Sequence, residues 1–248
     1  MRTRAVFGAF SGVLALSALS AQTAHAAPVT DVKNIVVNGG KPVVLGVSGT
    51  VSVPLTMTVV TGTHGAGASL YHGTYPVDTD VFVDGPRQGC GDHSGTYTCK
   101  LTFKLTARKT VKKNSQAGAW GVYASAVGNA NAQVVNDKAF HVVRAAKLTA
   151  NAAPEPVKKG QALMVTGKLT RADWQTGAYT GNANQTVKLQ FRKKGSSTYT
   201  TVKTVTSGTG GALKASAPAE SDGYWRWSFA GTSTTGAATA TGDYVDVQ

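Results

Sequence analysis

At 248 residues the chain is long enough for one large domain or two small ones, and its 25 Lys and Arg against 12 Asp and Glu give a formal net charge of +13. Charged residues make up only 15% of it; abundant Thr and Val at low charge density mark an extracellular β-protein rather than a helical one. The lysine excess favours anionic surfaces, while the lack of a basic helix or an aromatic–basic motif argues against nucleic acid as a partner.

Residues 1–26 read as a secretory signal peptide. Arg2 and Arg4 lead an apolar run over residues 5–19, and Ala24-His25-Ala26 gives an A-x-A cleavage signature. An apolar run of about fifteen residues is shorter than the roughly 20 that a transmembrane helix needs, and no later segment approaches that length. No cysteine follows the cleavage site, which argues against a lipid anchor. A secreted, extracellular protein without a membrane span is expected.

Beyond the leader, the strand signal is strict alternation. Residues 32–37 are the first candidate. Val51, Val53, Leu55, Met57 and Val59 then alternate with Thr50, Ser52, Pro54, Thr56 and Thr58, a half-buried strand with one wet face. Pro54 cannot donate to a ladder, so that strand is expected at an edge or with its proline on a non-bonded side. Residues 77–83 follow, with Asp78, Asp80, Phe82 and Asp84 on one face and Val77, Val81 and Val83 on the other. Cys90 and Cys99 flank a segment rich in turn formers, and in an oxidising compartment they are expected to form a disulfide. Closing so short a loop contributes roughly 2.7 kcal/mol. Tyr97, Cys99, Leu101, Phe103 and Leu105 alternate with Thr98, Lys100, Thr102 and Lys104; Trp120, Val122 and Ala124 repeat the pattern, and residues 140–143 read as a closing strand. Residues 104–115 read as a strand end running into a basic loop, and no window shows a convincing 3.6-residue apolar period.

A boundary falls between Ala145 and Ala146. It divides the mature chain into an N-terminal β-sandwich domain over residues 27–145 and a C-terminal one over residues 146–248. Pro154-Glu155-Pro156 marks an extended kink after the first strand of the second unit. Further strands are expected at residues 162–169, at Val187, Leu189 and Phe191, at 199–205, at 213–217, at Trp225, Trp227 and Phe229, and at 244–247. Glycine-rich turns at short spacing in both halves argue for sandwiches. With a set of strands in each, the two are expected to fold independently.

The segment V-K-K-G-Q-A-L-M-V-T-G-K-L-T-R-A-D-W, residues 157–174, resembles an immunoglobulin-like module common in secreted actinobacterial proteins. So do V-K-L-Q-F-R-K-K-G-S-S-T-Y-T-T-V-K-T-V at 187–205 and D-G-Y-W-R-W-S-F-A-G-T-S-T-T at 222–235, with T-G-D-Y-V-D-V closing the chain. The N-terminal domain, with V-V-N-G-G-K-P-V-V-L-G and R-A-A-K-L-T, looks like the partner found ahead of that module. The resemblance implies an all-β chain of two tandem immunoglobulin-like β-sandwiches. Such chains are often labelled calcium-binding or of unknown function, so it implies fold and location rather than an activity.

The histidines of the mature chain are His64, His72 and His93, in glycine-rich loops, and His141, within an apolar strand. No G-x-S-x-G elbow accompanies them, and no enzyme is expected. Asp78, Asp80 and Asp84 make an acidic strand face; calcium takes six to eight oxygens, so loop carbonyls would have to complete a site there. A solvated acidic face is the alternative. Lys100, Lys104, Arg108, Lys109, Lys112 and Lys113 form the opposite pole, a basic face continuing into a basic loop. Trp225 and Trp227 alternate inward with Phe229 as core, whereas Trp174 is placed at a strand end, partly exposed, where it could stack on a sugar. The function expected is a non-catalytic binding or structural module at or near the cell envelope, without a cofactor. Its partner is an anionic envelope polymer or an extracellular protein. The alternatives are a calcium-binding extracellular module and a secreted hydrolase or peptidase inhibitor.

Overall fold

The computed structural model describes residues 30–60, 63–86, 90–91, 95–128 and 131–248. The expected leader and its cleavage site lie outside them. The chain is all-β. Its N-terminal half runs through β1 (Asp31–Val37), β2 (Val43–Leu45), β3 (Thr50–Val60), β4 (Thr63–Thr74), β5 (Asp78–Asp84), β6 (Tyr97–Thr106), β7 (Gly118–Gly128) and β8 (Ala132–Arg144). One antiparallel sheet has the order β1-β3-β6, and the facing sheet has the order β2-β8-β7-β4-β5, with β2 parallel to β8. Alternation places Val53, Leu55, Leu101 and Phe103 inward from one sheet and Leu70, Trp120 and Val122 inward from the other, all buried in one apolar cluster. Cys90 and Cys99 are bonded, with their Cα atoms 5.6 Å apart, and tie the segment before β6 to that strand.

One local expectation resolves to the second of its two alternatives, and one is corrected. The strand carrying Pro54 is central, between β1 and β6. The proline is tolerated because the β1 ladder reaches only Leu55, opposite Val37, and leaves no partner beside Pro54 on that side. Nor does the glycine-rich stretch around His72 form a loop: it is β4, a long strand paired with both β5 and β7. Glycine is needed at its end, where a Cβ on Gly73 would fall on the Asp78 carbonyl. A Cβ on Gly121 of β7 would overlap the ring of Tyr71, which is fully buried and donates its hydroxyl to Asp137 Oδ1 at 2.5 Å. Burial first, and then the Asp137 carboxylate, push the Tyr71 phenol well above its ordinary pKa.

The C-terminal half runs through β9 (Ala146–Leu148), β10 (Asn151–Ala153), β11 (Ala162–Asp173), β12 (Ala178–Gly181), β13 (Thr186–Lys193), β14 (Thr200–Thr206), β15 (Ala212–Pro218), β16 (Gly223–Phe229), β17 (Ala238–Thr239) and β18 (Asp243–Val245). The long β11 organises one sheet. Its first part pairs with β10 and β15, and its last part with β9 and β12. The facing sheet has the order β14-β13-β16-β17, with β18 also on β16. Trp225, Trp227 and Phe229 point inward and are buried in a second apolar cluster, as their alternation predicts. Gly167 makes room for Trp227: a Cβ there would sit 2.7 Å from the indole Cδ1. The indole N–H is satisfied by the Thr166 carbonyl at 3.1 Å.

Only Ala145 separates β8 from β9. The two halves nevertheless share more than this link. The Ala172 N–H donates to the Ala145 carbonyl at 2.8 Å, and Ala172 and Trp174, which lie in sequence between Leu169 and Val187 of the second cluster, belong to the first. The expectation of a partly exposed Trp174 is overturned. It is 1% exposed, because its ring enters the N-terminal sandwich beside β2.

Candidate functional site

On β5, Asp78, Asp80 and Asp84 share the exposed face that alternation assigns them, with Val81 turned inward. The three do not converge. Same-face residues on a strand stand about 6.8 Å apart, and the Asp80 and Asp84 carboxylates have different local partners. Asp80 lies where the β4–β5 register shifts, and its carboxylate meets His72 Nδ1 at 2.6 Å and accepts from Gln116 Nε2 at 3.1 Å. Asp84 accepts from the Ser69 hydroxyl at 3.3 Å. Among the described residues no three His, Cys, Asp or Glu side chains are grouped closely enough to hold a metal ion. Asp92, His93 and the side chain of His64 lie outside the described residues.

Asp80 closes a local network. Burial raises its carboxyl pKa, but the bonds from His72 and Gln116 and the charge of Lys113 outweigh this and hold it below the usual carboxylate range. Gln116 is buried, accepts from the Lys112 and Lys113 amides at 2.7 and 2.9 Å, and receives the Trp120 indole N–H on its carbonyl at 2.8 Å. Asp80 is thereby bound into the fold of the basic loop.

The six basic residues are all exposed. Lys100 and Lys104 point outward from β6, opposite Thr56 and Ser52 of β3. Thr50, Thr98, Thr102 and Thr106 complete the same outer face, so it offers ammonium and hydroxyl groups in rows. Arg108 and Lys109 sit in the tight turn that closes with an Arg108 N–H to Val111 carbonyl bond at 2.7 Å, and Lys112 and Lys113 follow. Among the described residues none of the six forms an ion pair. Two are partly committed. Arg108 lies against Gly177 of the C-terminal half, and Lys113 acts on Asp80.

A second surface, which the sequence reading did not single out, lies on the outer face of the β14-β13-β16-β18 sheet. Register sets Gln190 opposite Arg226, Arg192 opposite Tyr224, and Tyr224 opposite Tyr244. These side chains alternate outward from Trp225 and Trp227 and stack on one another. The Arg226 guanidinium lies 3.6 Å over the Tyr199 ring, Arg192 lies 4.1 Å over Tyr224, and Lys194 lies 5.4 Å over Tyr244. Arg226 Nε donates to Gln190 Oε1 at 2.9 Å, and Arg192 Nη1 to the Ser196 carbonyl at 2.5 Å. Each exposed cation–π contact contributes on the order of 0.5–1 kcal/mol, so the ladder is ordered before any partner arrives. Asp222 ends it, accepting from Lys194 at 3.2 Å, the Tyr244 hydroxyl at 3.1 Å and the Val247 amide at 2.9 Å.

No family model matches the chain, and no curated protein does. Several solved structures match it. The D0-D1 domain of intimin is 18% identical over 87% of this chain and 98% of that one, with a TM-score of 0.29. The ectodomain of mouse nectin-like molecule 4 is 15% identical over 89% of this chain and 64% of that one, with a TM-score of 0.26. The Escherichia coli adhesin FdeC is 19% identical over 86% and 63%, with a TM-score of 0.27.

Proposed function

We propose that the protein is an exported, non-catalytic binding module that docks on anionic polymers of the cell envelope. The observation that carries this reading is the outer face of β6 with its following turn, where six exposed cations stand among threonine hydroxyls and form no ion pair among the described residues. Ammonium groups in rows attract a repeating anion by summed charge, and neighbouring hydroxyls donate to its oxygens. The Cys90–Cys99 bond supports an oxidising compartment. The test is sedimentation of the purified protein with isolated cell-wall material. Binding that reverses with salt is the expected result; protein left in the supernatant at low ionic strength would refute the reading.

The Tyr–Arg ladder favours a second partner class, an extracellular protein. Tyr and Arg are the residues that most often dominate protein interfaces, and a rigid stacked surface loses little entropy on docking. A partner bound there would be lost in Tyr224→Ala and kept at high salt, the reverse of polymer binding.

A further inference from the structure

Where the two halves meet, a groove of about 490 Å3 opens between them, and one of its walls holds a cation without a partner. Arg144, the last residue of β8, is only 6% exposed. Its backbone is fixed from both sides: the N–H donates to the Thr234 carbonyl at 3.1 Å, and the carbonyl accepts from the Gly236 N–H at 2.9 Å. Its side chain lines the groove, and among the described residues no hydrogen bond or ion pair reaches the guanidinium. Arg171 of β11 lines the same groove.

The nearby carboxylate does not balance them. Asp173 Oδ1 already accepts from the Gln175 and Thr176 amides at 2.9 and 3.0 Å. The Thr176 amide first, and then the Asn114 side chain, hold its carboxyl below the usual range. Burial first, and then the charge of Arg171, lower the pKa of Arg144, with Asp173 opposing them only in part. A buried charge is costly to keep unless something pairs with it.

We propose that this groove binds a small ligand through an oxyanion, a phosphate or a carboxylate, gripped by Arg144 and Arg171. Guanidinium forks match the oxygens of either group two at a time. The remaining walls carry the hydroxyls of Ser115, Thr180 and Thr234 and the Asp173 carboxylate, donors and an acceptor suited to a polyhydroxylated remainder. The volume falls within the roughly 300–1,000 Å3 of small-ligand pockets. This is a pocket for one anionic group, separate from the open lysine face that would track a polymer.

The intact protein, dialysed into an amine buffer, is titrated with sodium phosphate and, separately, with sodium acetate, ionic strength being held constant with sodium chloride. Thermal midpoint and tryptophan fluorescence are the readouts, since Trp174 is held by Asn114 at the groove wall. One of the two anions is expected to raise the midpoint saturably. A phosphate response assigns a phosphate ligand, and an acetate response a carboxylate. Arg144→Gln is expected to abolish the response, and the less buried Arg171→Gln to weaken apparent affinity about tenfold or more, the loss of a charge-assisted pair. Arg171→Gln keeps the test decisive if the Arg144 variant does not fold. Lys109→Glu with Lys112→Glu should leave the response intact, which separates this site from the polymer-binding face. No saturable response to either anion, or a response unchanged in Arg171→Gln, overturns the proposal.

Discussion

Trp174 of the C-terminal half donates its indole N–H to the Gly46 carbonyl of the N-terminal half at 2.9 Å, while its backbone N–H donates to Asn114 Oδ1 at the same distance. Together with Ala172 at the end of β11, this residue contributes apolar area to the core of the other half, and both of its N–H groups are satisfied there. The two apolar clusters are coupled through it. In the full chain they are expected to unfold in a single calorimetric transition. Trp174→Ala leaves a large cavity, expected to destabilise by roughly 3–5 kcal/mol, and it should split the endotherm in two. Trp174→Phe keeps most of the area and loses only the indole hydrogen bond, a change of about 1 kcal/mol. A wild-type chain that already melts in two separate steps would show that the plug does not couple the halves.

Trp227 and Gly167 form a matched pair, and their variants probe opposite errors. Trp227→Ala removes one of the two tryptophans of the second cluster, the fully buried one, and should destabilise by roughly 3–5 kcal/mol. Gly167→Ala adds one methyl group 2.3 Å from the Thr149 carbonyl and 2.7 Å from the indole and should destabilise by about 1–3 kcal/mol through overpacking. Denaturant melts followed by tryptophan fluorescence measure both. If Gly167→Ala is neutral, β11 can shift away from the indole and the close fit is not a constraint.

The strands that could be read from sequence are those where a large apolar residue recurs at every second position: Val51 to Val59 by odd numbers, Leu101 to Leu105, and Trp225 to Phe229. What escaped reading has a physical reason in each case. Along β4 the described inward residues before Leu70 are only Ala66 and Ala68, with glycines between and before them, so it lacks the large residues that reveal a period. Trp174 is placed by a tertiary contact with Gly46, which its neighbours in sequence do not encode. The Tyr–Arg ladder depends on cross-strand register, Arg192 with Tyr224 and Tyr224 with Tyr244. Only the outward alternation of Tyr224 and Arg226 around Trp225 hinted at it. The basic residues were legible as a run, but not that the charge of Lys113 acts on Asp80.

Asp222 makes the C-terminal half sensitive to acid. The Val247 amide, and then Lys194 and Tyr244, hold its carboxyl below the usual carboxylate range. A folded-state pKa below the unfolded value of about 3.9 contributes stability that is present above that value and is lost as pH falls through the folded pKa. The thermal midpoint should therefore drop below pH 4, and Asp222→Asn should flatten that part of the profile. A profile identical in wild type and variant would mean that the three bonds to Asp222 add nothing net.

Asp80 and Asp78 should differ although they stand on the same face of β5. Asp80→Ala strips a partner from the buried Gln116 amide, and an unsatisfied buried donor costs about 1–3 kcal/mol. Asp78→Ala should stay within about 0.5 kcal/mol, as exposed substitutions do. Adding calcium should leave the wild-type thermal midpoint where it is, because the two carboxylates are not gathered into a site. A rise with calcium that disappears in Asp78→Ala would restore a metal role to this strand.

Polymer binding, if it runs through the β6 face, is a sum of exposed charges. Such charges are screened over about 8 Å at physiological ionic strength, so retention on an anionic polymer should fall steeply as salt is raised. Charge reversal at Lys100, Lys104, Lys109 and Lys112 should remove most of it. Lys113 and Arg108 are left unchanged in this variant because the charge of Lys113 acts on Asp80 and Arg108 lies against Gly177, and altering them would mix binding with folding. The four reversals should shift stability little, since exposed charges contribute at most about 1 kcal/mol each. Melting temperature and retention, measured on the same samples, thus separate a lost surface from a lost fold. Retention that is insensitive to salt and survives the reversals would remove the β6 face from consideration and leave the ladder of Tyr199, Arg192, Tyr224 and Arg226 as the contact surface.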